Sequence, residues 1–200
     1  MRQEIVDKIS SKTRIFTVPN QLTFLRLAFL PFFLIAIEYE RYDWALGILI
    51  LAGLSDGLDG LLARGLNQRT PLGAYLDPIA DKLLLSSSYL MLALKGRIGW
   101  WLAILVLGRD VLLLVACAVI LLTVGYRPFP PSVWGKLTTA FEIFLIILVL
   151  VMAAWKQQSL LLPKEICEYS VAALVVISGL HYSVVVSRRL AAGQQASLSD

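Results

Sequence analysis

The sequence predicts an all-α integral membrane protein, a six-transmembrane-helix bundle preceded by an N-terminal amphipathic interfacial helix. Three observations predict it. Hydrophobic residues make up 58% of the 200 residues and mean hydropathy is +0.75, far from the composition of soluble domains. Six apolar runs can be counted, at about residues 22–37, 44–63, 73–94, 98–124, 133–155 and 166–186. Lys and Arg gather at the ends of these runs, giving net charge +4 and a sequence pI near 9.2. That charge suits anionic lipid or phosphate partners, and no nucleic-acid-binding motif accompanies it.

Residues 1–19 form the amphipathic interfacial segment. Ile5, Val6 and Ile9 fall at helical spacing among Arg2, Lys8 and Lys12, as in a helix lying on a membrane surface. A solvated helical arm is the alternative. Charges recur throughout, and no apolar core of the needed length precedes Pro19, so a secretory signal is not expected. Residues 20–190 form the six-helix domain, with no long Pro-, Gly- or Ser-rich linker inside it. The first run is short for the ~20 residues that cross a bilayer core and borrows length from Asn20 and Glu38. The tail "AAGQQASLSD", residues 191–200, reads as disordered.

Six spans place both termini on one side, and basic residues outside the spans set which side. Arg2, Lys8, Lys12, Arg14, Arg64, Arg69, Arg127, Lys136, Arg188 and Arg189 flank one face of the membrane, whereas Arg41, Lys95, Arg97, Lys156 and Lys164 flank the other. The ten outweigh the five. Both termini, and the connection between the second and third spans, are expected on the cytoplasmic side of a multi-pass cell (inner) membrane protein.

That connection lies within "LSDGLDGLLARGLNQRTPLGAYLDPIADKLLL", which carries four aspartates in apolar surroundings. Asp56 falls about 12 Å above Arg64 and Asp81 about 12 Å above Gly73, with Asp59 and Asp77 roughly 6–8 Å above the same ends. The i,i+3 pair Asp56 and Asp59, and the i,i+4 pair Asp77 and Asp81, each share a helix face. If those faces meet, four carboxylates converge. Insertion costs roughly 2.5–3.5 kcal/mol per Asp at a span centre, and mutual repulsion adds to it unless cations intervene. Hard oxygen donors without His or Cys favour Mg²⁺, Mn²⁺ or Ca²⁺, and four carboxylates suit a two-metal site. Polar caps at the membrane interface and a cation-transport pathway are the competing readings.

The run Asp56-x-x-Asp59-Gly60-x-x-Ala63-Arg64, then eight residues, then Gly73-x-x-x-Asp77-x-x-x-Asp81 resembles the signature of the CDP-alcohol phosphatidyltransferase family, with every fixed position filled. The family's six spans match the hydropathy pattern over nearly the whole chain. The resemblance implies an enzyme that moves a phosphatidyl group from CDP-diacylglycerol to an alcohol and releases CMP. It implies that Asp56, Asp59, Asp77 and Asp81 bind the metals, Mg²⁺ or Mn²⁺, and that Asp81 is the catalytic base on the acceptor hydroxyl. It further implies that Asp56, Gly60, Ala63, Arg64 and Gly73 bind the CDP moiety, the small residues admitting it close to two helix backbones. A homodimer is compatible with the resemblance, and no stretch marks its interface.

"PNQLTFLRLAFLP", Arg109-Asp110 and Gly135-Lys136 resemble the branch containing phosphatidylglycerophosphate synthases and cardiolipin synthases. That likeness implies acceptor binding by Arg26, Arg109 and Lys136, since Arg grips phosphate with two donors and Lys adds a point charge. The small phosphorylated alcohol glycerol 3-phosphate is favoured on that cationic count. Phosphatidylglycerol is the alternative acceptor, because Arg-Asp rather than Arg-Glu looks more like cardiolipin synthases. Arg109 also admits a plain intramembrane pair with Asp110 or another carboxylate. Glu142 admits a pair with Arg109, a pair with Lys136, or a place in the acceptor pocket. His181, Cys117 and Cys167 read as packing residues, and Trp100, Trp101, Trp134 and Trp155 as interfacial anchors.

Overall fold

The computed structural model describes the backbone of residues 18–66, 71–124 and 133–197, and the side chains there except those of residues 18–24, 26, 55–81, 116–124 and 185–197. The described residues are helical and contain no strand. The elements are α1 (Val18–Glu38), α2 (Tyr42–Leu66), α3 (Pro71–Leu94), α4 (Trp100–Val124), α5 (Val133–Trp155), a 3₁₀ turn (Gln158–Leu160) and α6 (Leu161–Ser197). Each of the six apolar runs falls on one helix, with ends displaced by a few residues except at the end of α6, which runs well past residue 186 to Ser197. The expected N-terminal amphipathic helix falls outside the described residues.

Prolines mark the starts. Pro71 opens α3, where its missing N–H costs nothing, and Pro163 falls in the first turn of α6. Pro31 lies inside α1 and removes one helical hydrogen bond. One correction concerns the tail. The sequence predicts loss of order after residue 190, yet α6 continues to Ser197. Ala191, Ala192, Gln194, Gln195 and Ala196 are good helix formers, so a helix already nucleated upstream propagates through them at little cost.

Three helices end in the same closure. After α1, Arg41 N–H donates to Ala36 O at 2.8 Å and Glu40 N–H to Ile37 O at 3.0 Å. After α3, Arg97 N–H donates to Leu92 O at 2.8 Å and Gly96 N–H to Ala93 O at 2.9 Å. After α5, Gln157 N–H donates to Met152 O at 3.2 Å. Each closure needs one residue in the left-handed region: Glu40 (φ 57°), Gly96 (φ 64°) and Lys156 (φ 51°). The pattern satisfies terminal carbonyls that would otherwise face an apolar environment. Glycine takes that conformation freely, whereas Glu40 and Lys156 adopt it at some steric cost.

The chain divides into two compact units between Ser87 and Ser88. In the first, α1 packs on α2 through Phe33, Ala36 and Ile37 against Tyr42, Ala45, Leu46, Leu49 and Ala52, all buried. In the second, α6 packs on both α4 and α5. Its core joins Leu102, Ala103 and Val106 of α4 with Leu145, Ile146, Val149 and Leu150 of α5, and Val171 and Val175 of α6. The i,i+3 and i,i+4 spacings within each set put these side chains on one stripe per helix.

The distribution of polarity is the reverse of a water-soluble bundle. Phe32, Leu51, Ile104, Leu114, Phe144, Leu162 and Leu180 are more than half exposed, while Ser88, Arg109, Asp110, Thr138, Glu142, Glu168 and Ser178 are buried. An apolar exterior of this extent marks a surface that does not meet water. By length and composition, α5 is the one helix among the described residues that is long and apolar enough to cross a membrane, with mean hydropathy 2.5. Shorter apolar stretches occupy Leu27–Glu38, Tyr42–Leu54 and Lys82–Leu94.

Candidate functional site

The acidic motif lies on two helices joined by a short connection. Asp56 lies ten residues before the end of α2 at Leu66, and Asp81 ten residues after the start of α3 at Pro71, about 15 Å along each helix. Asp59 and Asp77 fall about 10 Å from those ends. The backbone is helical through all four positions, so the spacings predicted from the sequence are realised along each helix. On α2, Gly60 and Ala63 follow Asp56 at i+4 and i+7, which keeps the two small residues on the stripe of that carboxylate. Gly73, Asp77 and Asp81 follow one another at i,i+4 on α3, and Arg64 lies in the last turn of α2. The side chains of these residues, and of Arg26 on α1, lie outside the described residues.

The donor set fits hard divalent cations: four carboxylates, with neither His nor Cys between Asp56 and Asp81. Among the described residues, no group of three or more His, Cys, Asp or Glu could hold a metal ion.

A second polar cluster occupies the core of the unit formed by α4, α5 and α6. The Arg109 side chain is only 4% exposed, and its Nη1 donates to Asp110 Oδ1 at 2.8 Å and lies 3.8 Å from Glu142 Oε1. Its Nη2 donates to Ser178 Oγ at 3.3 Å. Three residues, one from each of three helices, thus surround one guanidinium. Near it, Tyr89 OH donates to the backbone carbonyl of Glu142 at 3.3 Å. Thr138 Oγ1 donates to Trp134 O at 2.8 Å and lies 3.3 Å from Leu174 O, tying α5 to α6.

For Arg109, the sequence offered an acceptor contact or an intramembrane ion pair, and the ion pair is formed. For Glu142, of the two pairings offered, the contact is with Arg109. Lys136 is exposed in the first turn of α5, free of that cluster. Ser178 was missed altogether. It lies 69 residues from Arg109, and a lone serine in an apolar run carries no signal of its partner. Trp100, Trp101, Trp134 and Trp155 are exposed at helix ends, as interfacial anchors should be. Cys167 is a buried free thiol. His181 makes an edge contact with Tyr182 at 6.1 Å.

Comparison with known proteins agrees with the motif. The family model for CDP-alcohol phosphatidyltransferases matches residues 16–185. A putative cardiolipin synthase of Mycobacterium tuberculosis is 35% identical over 135 residues, covering 67% of this chain and 64% of that protein. A probable phosphatidylglycerophosphate synthase of the same species is 38% identical over 141 residues, 66% of this chain and 65% of that protein. The chain thus spans slightly less than two thirds of the length of these curated relatives. A CDP-diacylglycerol–glycerol-3-phosphate 3-phosphatidyltransferase of Aquifex aeolicus is 32% identical over 169 residues, 84% of this chain and 94% of that protein. The match runs through both compact units and includes the whole acidic motif on α2 and α3, and on that ground the chain belongs to the CDP-alcohol phosphatidyltransferase family.

Proposed function

We propose that this chain transfers the phosphatidyl group of CDP-diacylglycerol to glycerol 3-phosphate and releases CMP. The observation that carries the proposal is the unbroken acidic motif, on continuous helix at similar distances from the facing ends of α2 and α3. The Aquifex aeolicus relative, whose name states this reaction, covers 84% of the chain, against 67% for the putative cardiolipin synthase.

In this reading Asp56, Asp59, Asp77 and Asp81 hold two Mg²⁺ ions, or Mn²⁺ in their place. Bound there, the metals supply Lewis-acid stabilisation of the charge that develops on the transferred phosphate. The chain's residues do the rest. Gly60, Ala63 and Gly73 leave room for the cytidine and its phosphates along the helix backbones. Asp56 orients the same moiety, and Arg64 holds a phosphate with paired donors. Asp81 accepts the proton of the acceptor hydroxyl, whose oxygen forms the new bond to phosphorus. The phosphoanhydride bond breaks and CMP carries away its electron pair. Arg26 and Lys136 bind the phosphate of the acceptor. Arg109 joins them only if its bonds to Asp110 and Ser178 yield.

That commitment of Arg109 favours a second reading. With one of three candidate cations already paired, the acceptor pocket is less basic than the sequence suggests, which suits phosphatidylglycerol and hence cardiolipin synthesis. The apolar exterior and the bias of basic residues support a multi-pass inner-membrane placement, with six spans and with both termini and the acidic motif on the cytoplasmic side. Family resemblance alone supports a homodimer.

The test is CMP release by the purified full chain in detergent with CDP-diacylglycerol and Mg²⁺. Turnover with glycerol 3-phosphate alone is expected. Turnover with phosphatidylglycerol alone makes the protein a cardiolipin synthase. Silence with these and other alcohol acceptors, together with divalent-ion transport in vesicles, replaces the transferase by a transporter.

A further inference from the structure

One cation inside an apolar helix has no role in the transfer as proposed above. Lys82 heads the apolar stretch Lys82–Leu94 of α3, one residue after Asp81, and is half-buried. Leu85, Tyr89 and Ala93 follow it at i+3, i+7 and i+11, and all three are buried. Leu85, Ser88 and Leu92, at i+4, i+7 and i+11 from Asp81, are buried too. Asp81 and Lys82 thus head one buried face of α3, while Leu83, Leu90 and Leu94, on another face, are exposed. A lysine on the inward face of a membrane helix is costly to insert, and such residues mark substrate and ion sites.

Position along the helix says which part of the donor it meets. Measured from the facing ends of α2 and α3, Arg64 and Gly73 lie about 3 Å in, whereas Asp81 lies about 15 Å and Lys82 about 16 Å in. Of the cations in or beside the motif, Lys82 alone stands at the distance of the innermost carboxylates. A CDP-linked lipid binds with its nucleotide toward the aqueous end and its acyl chains in the bilayer, so the phosphate esterified to diacylglycerol is the inner one. We propose that Lys82 binds this lipid-side phosphate of CDP-diacylglycerol, the group that is transferred. The proposal rests on the transferase reading above. Charge supports it. Four Asp carboxylates and the two donor phosphates carry six negative charges, and two divalent cations with Arg64 supply five positive ones. Lys82 supplies the sixth, and an uncompensated charge in apolar surroundings is expensive. During transfer the acceptor oxygen bonds to the lipid-side phosphorus, the phosphoanhydride bond breaks, CMP leaves with the electron pair and the hydroxyl proton passes to Asp81. The phosphates then carry three negative charges instead of two. The Lys82 ammonium keeps its protons and offsets the charge growing on the oxygens of the transferred group.

Nucleotide binding separates this role from mere compensation of the aspartates, because CDP carries the second phosphate and CMP does not. In isothermal titration of the full chain in detergent with Mg²⁺, Lys82→Met should weaken CDP binding about tenfold and leave CMP binding unchanged. With CDP-diacylglycerol, kcat/KM for CMP release should fall about a hundredfold, and Lys82→Arg should restore most of both. Lys82→Gln, which keeps a polar tip, should behave as Lys82→Met. The melting temperature in Mg²⁺ should stay unchanged in all three, which separates lost binding from lost folding. Equal weakening of CDP and CMP overturns the proposal, because Lys82 then serves the aspartates alone. So does undiminished CDP binding in Lys82→Met and Lys82→Gln. A parent chain that releases no CMP with any alcohol acceptor fails differently: the transferase reading is then overturned, and the assignment of Lys82 with it.

Discussion

Two charged clusters of the chain are balanced differently. Between Asp56 and Asp81 the motif supplies four carboxylates, with Arg64, Arg69 and Lys82 the cations in or beside that stretch. Around Arg109 the chain supplies the cation and its partners together: Asp110 at 2.8 Å, Glu142 at 3.8 Å and Ser178 at 3.3 Å. A buried charge must be compensated, either by the protein or by something it binds. In the proposed function the first region recruits its counter-charge from outside, as a binding site must. The second takes its counter-charge from the protein itself, at Asp110 and Glu142, while the buried Arg109 Nε makes no hydrogen bond among the described residues.

The largest effect that would sharpen this contrast is on activity. Asp59→Asn should lower the CMP-release rate by at least a thousandfold while leaving the melting temperature equal or higher, since it relieves repulsion among carboxylates. A comparable loss of stability would break the contrast by making the motif structural. Removing divalent metal with EDTA should likewise abolish turnover, and Mg²⁺ should restore it. Circular dichroism of the helices should not respond to either step.

At Arg109 the signs are reversed. Arg109→Met should cost about 3–5 kcal/mol of stability, because it strands buried carboxylates. Replacing Asp110 and Glu142 by Leu in that background should recover most of the loss, as apolar groups of similar volume often do at buried ion pairs. If the recovered triple variant shows a raised KM for the acceptor with kcat unchanged, Arg109 touches substrate, and the cluster is also part of the pocket. Ser178→Ala should have the smallest effect, about 1 kcal/mol, read from the denaturation midpoint.

How much of this was legible in the sequence follows from how far apart the partners lie. Asp56, Asp59, Asp77 and Asp81 fit within 26 residues, and helix periodicity alone puts each pair on one face. Glu142 and Ser178 are 33 and 69 residues from Arg109, so no local period links them. The helix ends show the same division. Gly96 is the kind of residue expected to close a helix, whereas nothing in Glu40 or Lys156 announces a left-handed turn. There, hydrogen bonding of the terminal carbonyls outweighs the residue's own preference. The run after residue 190 misled for a related reason. Its polarity argued against a packed core, but the helix needs only propagation from a nucleus already formed upstream.

By itself, the sequence determined the all-helical class, the positions of the six apolar runs, and the acidic motif with its spacing. These depend on composition and on spacings shorter than two helical turns, which the regular geometry of a helix converts directly into shared faces. Only the tertiary structure decided that Arg109 is sealed in an ion pair and that Glu142 faces Arg109 rather than Lys136. Those depend on which helix lies against which, and that choice is made by whole packed surfaces rather than by any local run of residues.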